Sequence, residues 1–317
     1  MKQDEQQPRK ISQIIFRATT AVILIFYIVI INIIIIGEFF VPTNYTTTTT
    51  APRTTQQDRS LLLRLGHQVT VLQTIPHDSN AWTQGLVTAA DGLTTLYEGT
   101  GLYGESNLRK INVTTGQIVQ QSATLPEQYF GEGIAFYTDD NNNSRIIQLT
   151  WKEKTGFIYD RDTLTQVSTF SFSTKRNQGW GITVRKNTFI VSDGSRVLHI
   201  WDKSTLREIK RVRVGQFFPF PQAVPLLNEL EYDPNSDTLL ANVLGTKRIV
   251  RIDPETGRVL AQYNLRPLYT KLTEQYSNVG ALNGIALVPG TEDQYWVTGK
   301  WWPEMYKVEL PYRRNRK

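Results

Sequence analysis

The chain of 317 residues contains no cysteine, so a disulfide framework and a cysteine nucleophile are both excluded. Cysteine therefore says nothing about compartment. Histidine is nearly absent: His67, His77 and His199 are too dispersed to look like a metal cluster. No Ser-His-Asp arrangement and no paired carboxylates stand out. Charge of one sign is also scarce. The formal net charge is +6, part of it in the N-terminal flank and the tail Arg313–Lys317. A solvated surface accounts for that excess, and no nucleic-acid partner is expected. What is present is 40% hydrophobic residues with 11% aromatics, enough for one large core.

The chain repeats itself. Trp82-Thr83-Gln84-Gly85-Leu86 is echoed in Phe130-Gly131-Glu132-Gly133-Ile134, Gln178-Gly179-Trp180-Gly181-Ile182, Leu227-Asn228-Glu229-Leu230 and Leu282-Asn283-Gly284-Ile285. With Gly85, Gly133, Gly181, Glu229 and Gly284 aligned, the intervals are 48, 48, 48 and 55 residues. A fixed period of this length marks a repeat architecture. Each unit carries four short β-rich runs. In four units the third run ends in an Asn- or Asp-led turn, beginning at Asn112, Asp160, Asp202 and Asp253. Four strands per unit and five units predict an all-β, five-bladed β-propeller over residues 67–310. The last unit lacks a fourth strand. The unassigned stretch His67–Ile75 is expected to supply it and join the two ends of the domain.

Ahead of the propeller, residues 1–17 are polar and net basic, the expected cytoplasmic tail. Ala18–Ile36 is a charge-free run dense in Ile, extended by Phe39, Phe40 and Val41. Residues 18–41 therefore read as a single transmembrane helix, an uncleaved signal anchor with the N-terminus cytoplasmic. Residues 42–66 form a Thr-rich stalk in which Leu61–Leu65 suits a short helix. Residues 311–317 are a basic tail. The expectation is a single-pass type II membrane protein with its propeller in the endoplasmic reticulum or Golgi lumen or outside the cell. Sequons at Asn44, Asn112 and Asn142 would then face glycosylation.

A propeller gathers equivalent positions of its inner strands at one mouth of the central channel. Here these are Gln84, Glu132, Trp180, Asn228 and Asn283. Glu132 is the one carboxylate among them, with the aromatics Trp82, Phe130, Trp151 and Trp180 nearby. Lys300 closes the second strand of the fifth unit. A carboxyl in a partly dry aromatic site has a raised pKa and can exchange protons near neutrality. Asn and Lys donors can stabilise a developing oxyanion. The alternative is that Glu132 merely caps inner-strand amides, and that the glycines merely permit close packing at the axis.

Trp82-Thr83-Gln84-Gly85-Leu86, Phe130-Gly131-Glu132-Gly133, Gln148-Leu149-Thr150-Trp151, Gly179-Trp180-Gly181, Ser192-Asp193-Gly194-Ser195, Leu227-Asn228-Glu229-Leu230-Glu231 and Thr298-Gly299-Lys300-Trp301 together resemble the plant and bacterial type of glutaminyl-peptide cyclotransferase. The likeness spans residues 69–310. It implies a five-bladed propeller that converts the N-terminal glutamine of peptides and proteins to pyroglutamate with release of ammonia. It implies no metal in the chemistry and leaves room for a structural ion in the channel. By the same likeness Glu132 is the acid/base, and Asn228 and Lys300 stabilise the oxyanion. Gln84, Trp82, Phe130, Trp151 and Trp180 would hold substrate. One departure is Leu244, where the family pattern usually has Trp. It favours a second reading, a catalytically silent luminal propeller that binds a small ligand or a peptide N-terminus. A third, a metal-dependent hydrolase of the lactonase kind, would need several inward carboxylates around an ion, for which the sequence offers Glu132 with Glu229 or Glu231.

Overall fold

The computed structural model describes residues 67, 69–88, 94–216 and 222–312. The expected tail, anchor, stalk, the helix at Leu61–Leu65 and the sequon at Asn44 lie outside the described residues. Among the described residues no helix is long and apolar enough to cross a membrane.

Five four-stranded antiparallel sheets follow one another along the chain. The first comprises β2 (Thr83–Thr88), β3 (Thr95–Thr100), β4 (Leu108–Asn112) and β5 (Ile118–Gln121). The second holds β6 (Gly131–Thr138), β7 (Ser144–Thr150), β8 (Thr155–Asp160) and β9 (Gln166–Ser171). The third holds β10 (Ile182–Arg185), β11 (Thr188–Ser192), β12 (Val197–Asp202) and β13 (Glu208–Arg213). A two-stranded ribbon, β14 (Gly215–Gln216) and β15 (Gln222–Ala223), precedes the fourth. That sheet is β16 (Leu227–Asp233), β17 (Thr238–Val243), β18 (Arg248–Ile252) and β19 (Val259–Asn264). The fifth is β20 (Leu282–Leu287), β21 (Gln294–Gly299) and β22 (Glu304–Glu309), completed on its outer side by β1 (Thr70–Pro76). β1 pairs with β22 from Thr70–Glu309 to Pro76–Glu304, so the ring is closed as the sequence predicts. The longer interval before Gly284 is occupied by a helix, α1 (Arg266–Gln275). Its Leu268 and Leu272 pack into the apolar cluster shared by the fourth and fifth blades.

The four predicted turns form as expected. Asn112, Asp160, Asp202 and Asp253 each accept hydrogen bonds from amides two or three residues on. Gly116 and Gly257 take positive φ at the turn's end, and Leu164 and Leu206 take the same conformation (φ 54° and 57°) without being glycine. Leu164 is fully buried in the second blade's core, which compensates the backbone cost.

The inner strands β2, β6, β10, β16 and β20 contact one another around the axis. Close approach there explains the repeat. A Cβ on Gly85 would lie 2.6 Å from the Ile134 nitrogen, one on Gly133 2.5 Å from the Trp180 oxygen, and one on Gly181 2.2 Å from the Asn228 oxygen. The packing explanation for the glycine period is therefore sufficient. The fourth blade has Glu229 at this position. Its carboxyl reaches across to accept from the Leu86 amide of the first blade (3.3 Å). Glu231 does the same to the Leu287 amide of the fifth (2.7 Å). Burial pushes both carboxyls up, Glu231 to about 8, consistent with neutral side chains that cap strand amides.

One fully buried cation ties the last two blades. Arg251 on β18 donates to Asp233 (2.8 Å), Thr238 (2.8 Å), Ser236 (3.0 Å) and the Tyr263 hydroxyl (3.0 Å) within its own blade. It also reaches the Tyr295 hydroxyl (3.0 Å) and the Leu310 carbonyl (3.2 Å) in the fifth.

Candidate active site

Gln84, Glu132, Asn228 and Asn283 sit where the inner strands are irregular. The antiparallel register shifts between Thr83 and Gly85, Gly131 and Ile134, Leu227 and Leu230, and Leu282 and Ile285. A break in register bends the strand and re-aims the side chain it carries. In the third blade the equivalent residue, Trp180, lies just before β10. Its amide donates to the Ser192 carbonyl (3.0 Å). All five side chains are buried, none more than 6% exposed.

Glu132 is not a cap. It has no side-chain hydrogen bond among the described residues, unlike Glu229 and Glu231. Burial raises its pKa well above the usual carboxylate range. Lys300 opposes that shift and Glu153 adds to it. Lys300 follows β21 and is 7% exposed. Burial lowers its pKa to about 8, with Glu132 pulling the other way. Its ammonium stands 4.7 Å from the centre of the Trp82 ring, a cation–π contact. Trp82 in turn meets Trp301 edge-on at 4.4 Å.

Around these two groups the polar set is held from behind. Gln84 accepts from the Asn283 amide (3.2 Å). The Asn228 carbonyl accepts from Ser192 Oγ (2.6 Å), which itself accepts from the Gly181 amide (2.7 Å). The aromatic side is continuous from Tyr103 through Phe130 to Trp151, at centroid distances of 5.3 and 5.7 Å. From Trp151 it continues to Trp180 through a shared partner, Gln178. In the fourth blade Leu244 offers no ring and is buried, its amide bonded to the Leu226 carbonyl.

A family profile described as glutamine cyclotransferase matches residues 43–310. A glutaminyl-peptide cyclotransferase of Arabidopsis thaliana is 35% identical over 254 residues, 78% of this chain and 74% of the relative. The crystal structure of Myxococcus xanthus glutaminyl cyclase superposes with a TM-score of 0.66 at 28% identity, covering 76% of this chain and 96% of that one. The chain belongs to the glutamine cyclotransferase family.

In the cyclotransferase fold Gln84, Glu132 and Asn228 lie at register breaks of inner strands, Lys300 lies beside Trp82, and Phe130, Trp151 and Trp180 form one run of contacts. Three contributors escape the repeat pattern. Tyr103 and Glu153 are joined by a hydrogen bond (2.9 Å) at the edge of Phe130, and Trp301 backs Trp82. Only the neighbour Lys300 pointed to Trp301 in sequence. Gln178 stood within a repeat motif, but nothing in the motif marked its side chain. Among the described residues no three His, Asp or Glu side chains converge as a ligand set. Glu229 and Glu231 point to amides, which removes the carboxylate cluster that a lactonase-type site needs.

Proposed function

We propose that this protein cyclises the N-terminal glutamine of peptides and proteins to pyroglutamate and releases ammonia, without a metal in the chemistry. The observation that carries it is a buried carboxyl, Glu132, and a buried ammonium, Lys300, that act on each other electrostatically and have no side-chain hydrogen bond among the described residues. The substrate brings its own nucleophile. Its neutral α-amine attacks the side-chain amide carbon, forming the ring C–N bond and a tetrahedral oxyanion. Glu132 takes a proton from the attacking nitrogen and gives one to the departing nitrogen, and the C–N bond to ammonia breaks. Lys300 and the Asn228 amide stabilise the oxyanion. Gln84 orients the substrate, and the aromatic side formed by Trp82, Phe130, Trp151 and Trp180 keeps it folded for attack.

The test is ammonia release from a short glutamine-initiated peptide, with and without chelator. Turnover that survives the chelator is expected; turnover abolished by it would point to a metal. A properly folded protein that binds the peptide without turnover would establish the binding-only reading, which Leu244 favours. Rescue by Leu244→Trp would then trace the defect to the missing ring.

Lys300 sets a pH signature. It is charged below about pH 8 and neutral above it. kcat/KM is therefore expected to be bell-shaped, its rising limb from deprotonation of the substrate α-amine and its alkaline limb from Lys300. Lys300→Met should lower kcat by roughly 10²-fold and remove the alkaline limb. A limb that persists in the variant belongs to another group.

We further propose that residues 18–41 anchor the chain as a type II membrane protein, with the propeller in the secretory lumen or outside the cell. The uncharged run and its basic flank support this. Asn142 is exposed on the β6–β7 turn, as a glycosylated sequon requires, and Asn112 lies at a turn whose amides its Oδ1 accepts.

A further inference from the structure

Trp151 belongs to the second blade and Trp180 to the third. The Gly179 amide donates to the Trp151 and Thr150 carbonyls (2.9 and 3.2 Å), which joins the two backbones but leaves the angle between the rings to the side chains. Both indole nitrogens nevertheless donate to a single atom, Oε1 of Gln178, each at 2.9 Å. An indole N–H is a donor alone, so the chemistry of the two neighbours fixes which end of the Gln178 amide faces them. The oxygen is saturated by this pair.

The segment carrying Gln178 is itself clamped. Thr174 Oγ1 donates to the Gln178 carbonyl (2.7 Å) and accepts from its amide (3.0 Å). The Arg176 amide donates to Asp193 Oδ2 (2.8 Å), and the Arg176 guanidinium to the Gly194 carbonyl (3.1 Å). Asp193 is held by His199 (3.1 Å) and by the Ser195 amide (3.0 Å). Gly194, at φ 73°, lies flat under the Trp180 ring; a Cβ there would be 2.5 Å from it. The Ser192-Asp193-Gly194-Ser195 motif thus supports the segment from one side and the ring from the other.

We propose that Gln178 is a positioning residue that locks Trp151 and Trp180 into one rigid wall across the boundary between the second and third blades, and so sets how tightly the glutamine end of the substrate is held. This rests on the cyclase reading above. Gln178 touches the substrate through the two rings, not directly. A preformed wall saves the ordering of two large side chains on binding, so the effect belongs in KM more than in kcat.

The test compares Gln178→Leu, which removes the acceptor, with Gln178→Glu, which keeps an acceptor at the same reach. KM and kcat are measured on a glutamine-initiated peptide. In parallel, the free protein is labelled with fluorotryptophan, and the Trp151 and Trp180 resonances are assigned with Trp→Phe variants. Gln178→Leu is expected to raise KM about tenfold, with kcat within about threefold, and to shift or broaden both resonances. Gln178→Glu is expected to restore both. An unchanged KM and unchanged resonances in Gln178→Leu would overturn the proposal, as would Gln178→Glu being as impaired as Gln178→Leu. Because the resonances are read without substrate, they test the wall even if wild-type turnover on the peptide fails, which would count against the cyclase reading instead.

Discussion

Glu132→Gln is expected to lower turnover of a glutamine-initiated peptide by roughly 10²–10⁴-fold while leaving the thermal midpoint where it is. The two halves of this result come from the same geometry. Glu132 is buried and bonds no backbone amide among the described residues, so an isosteric amide removes no hydrogen bond found there. The site does lose the one group that both accepts and returns a proton. Peptide binding measured on the variant should persist, since the aromatic side and Gln84 are untouched. Undiminished turnover in Glu132→Gln would remove the acid/base role. A collapsed midpoint would return Glu132 to the class of Glu229 and Glu231, whose carboxyls hold strand amides of other blades.

The second large effect lies far from the chemistry. Arg251→Ala should destabilise the propeller by about 3–5 kcal/mol, the range for removing one partner from a buried ion pair. Arg251 is fully buried, and its loss takes the counter-charge from Asp233, which keeps only the neutral donors Ser236, Tyr295 and the Asn235 amide. Denaturant unfolding is the measurement. Arg251→Met, which refills the volume but not the charge, should recover little, because Asp233 remains buried at its side. A change within about 0.5 kcal/mol in either variant is the size of an ordinary surface substitution and would show the cluster to be dispensable.

The blade count was legible because steric closeness at the axis imposes a small residue at a fixed interval, and Gly85, Gly133 and Gly181 stand there. Gln84, Glu132, Trp180, Asn228 and Asn283 were legible for the same reason, since each is the neighbour of an aligned position. Ring closure by β1 could be read from a missing strand at one end and a surplus one at the other. Arg251 was not legible: its partners Asp233, Tyr295 and Leu310 lie far from it in sequence and share no motif with it. Gln178 was hidden because its role depends on the meeting of two rings from different blades. The amide-capping role of Glu229 and Glu231 depends likewise on which strand lies opposite. Patterning reports what one strand demands of its own residues. It is silent about an acceptor whose donors arrive from elsewhere.

The seam between β1 and β22 has a consequence for how the protein comes into being. On the ribosome the strand made first must wait for the strand made last, roughly 10–50 s at ordinary elongation rates. Until then four blades can form while the fifth lacks its outer member, and both β1 and the growing end present unpaired strand edges. Lys300 and Trp301 are among the final residues before that seam, so a nascent chain holds Glu132 long before it holds the cation opposite. Any product stopped short of Glu304 would be an open ring with no seam, and chaperone demand should be concentrated at the end of translation.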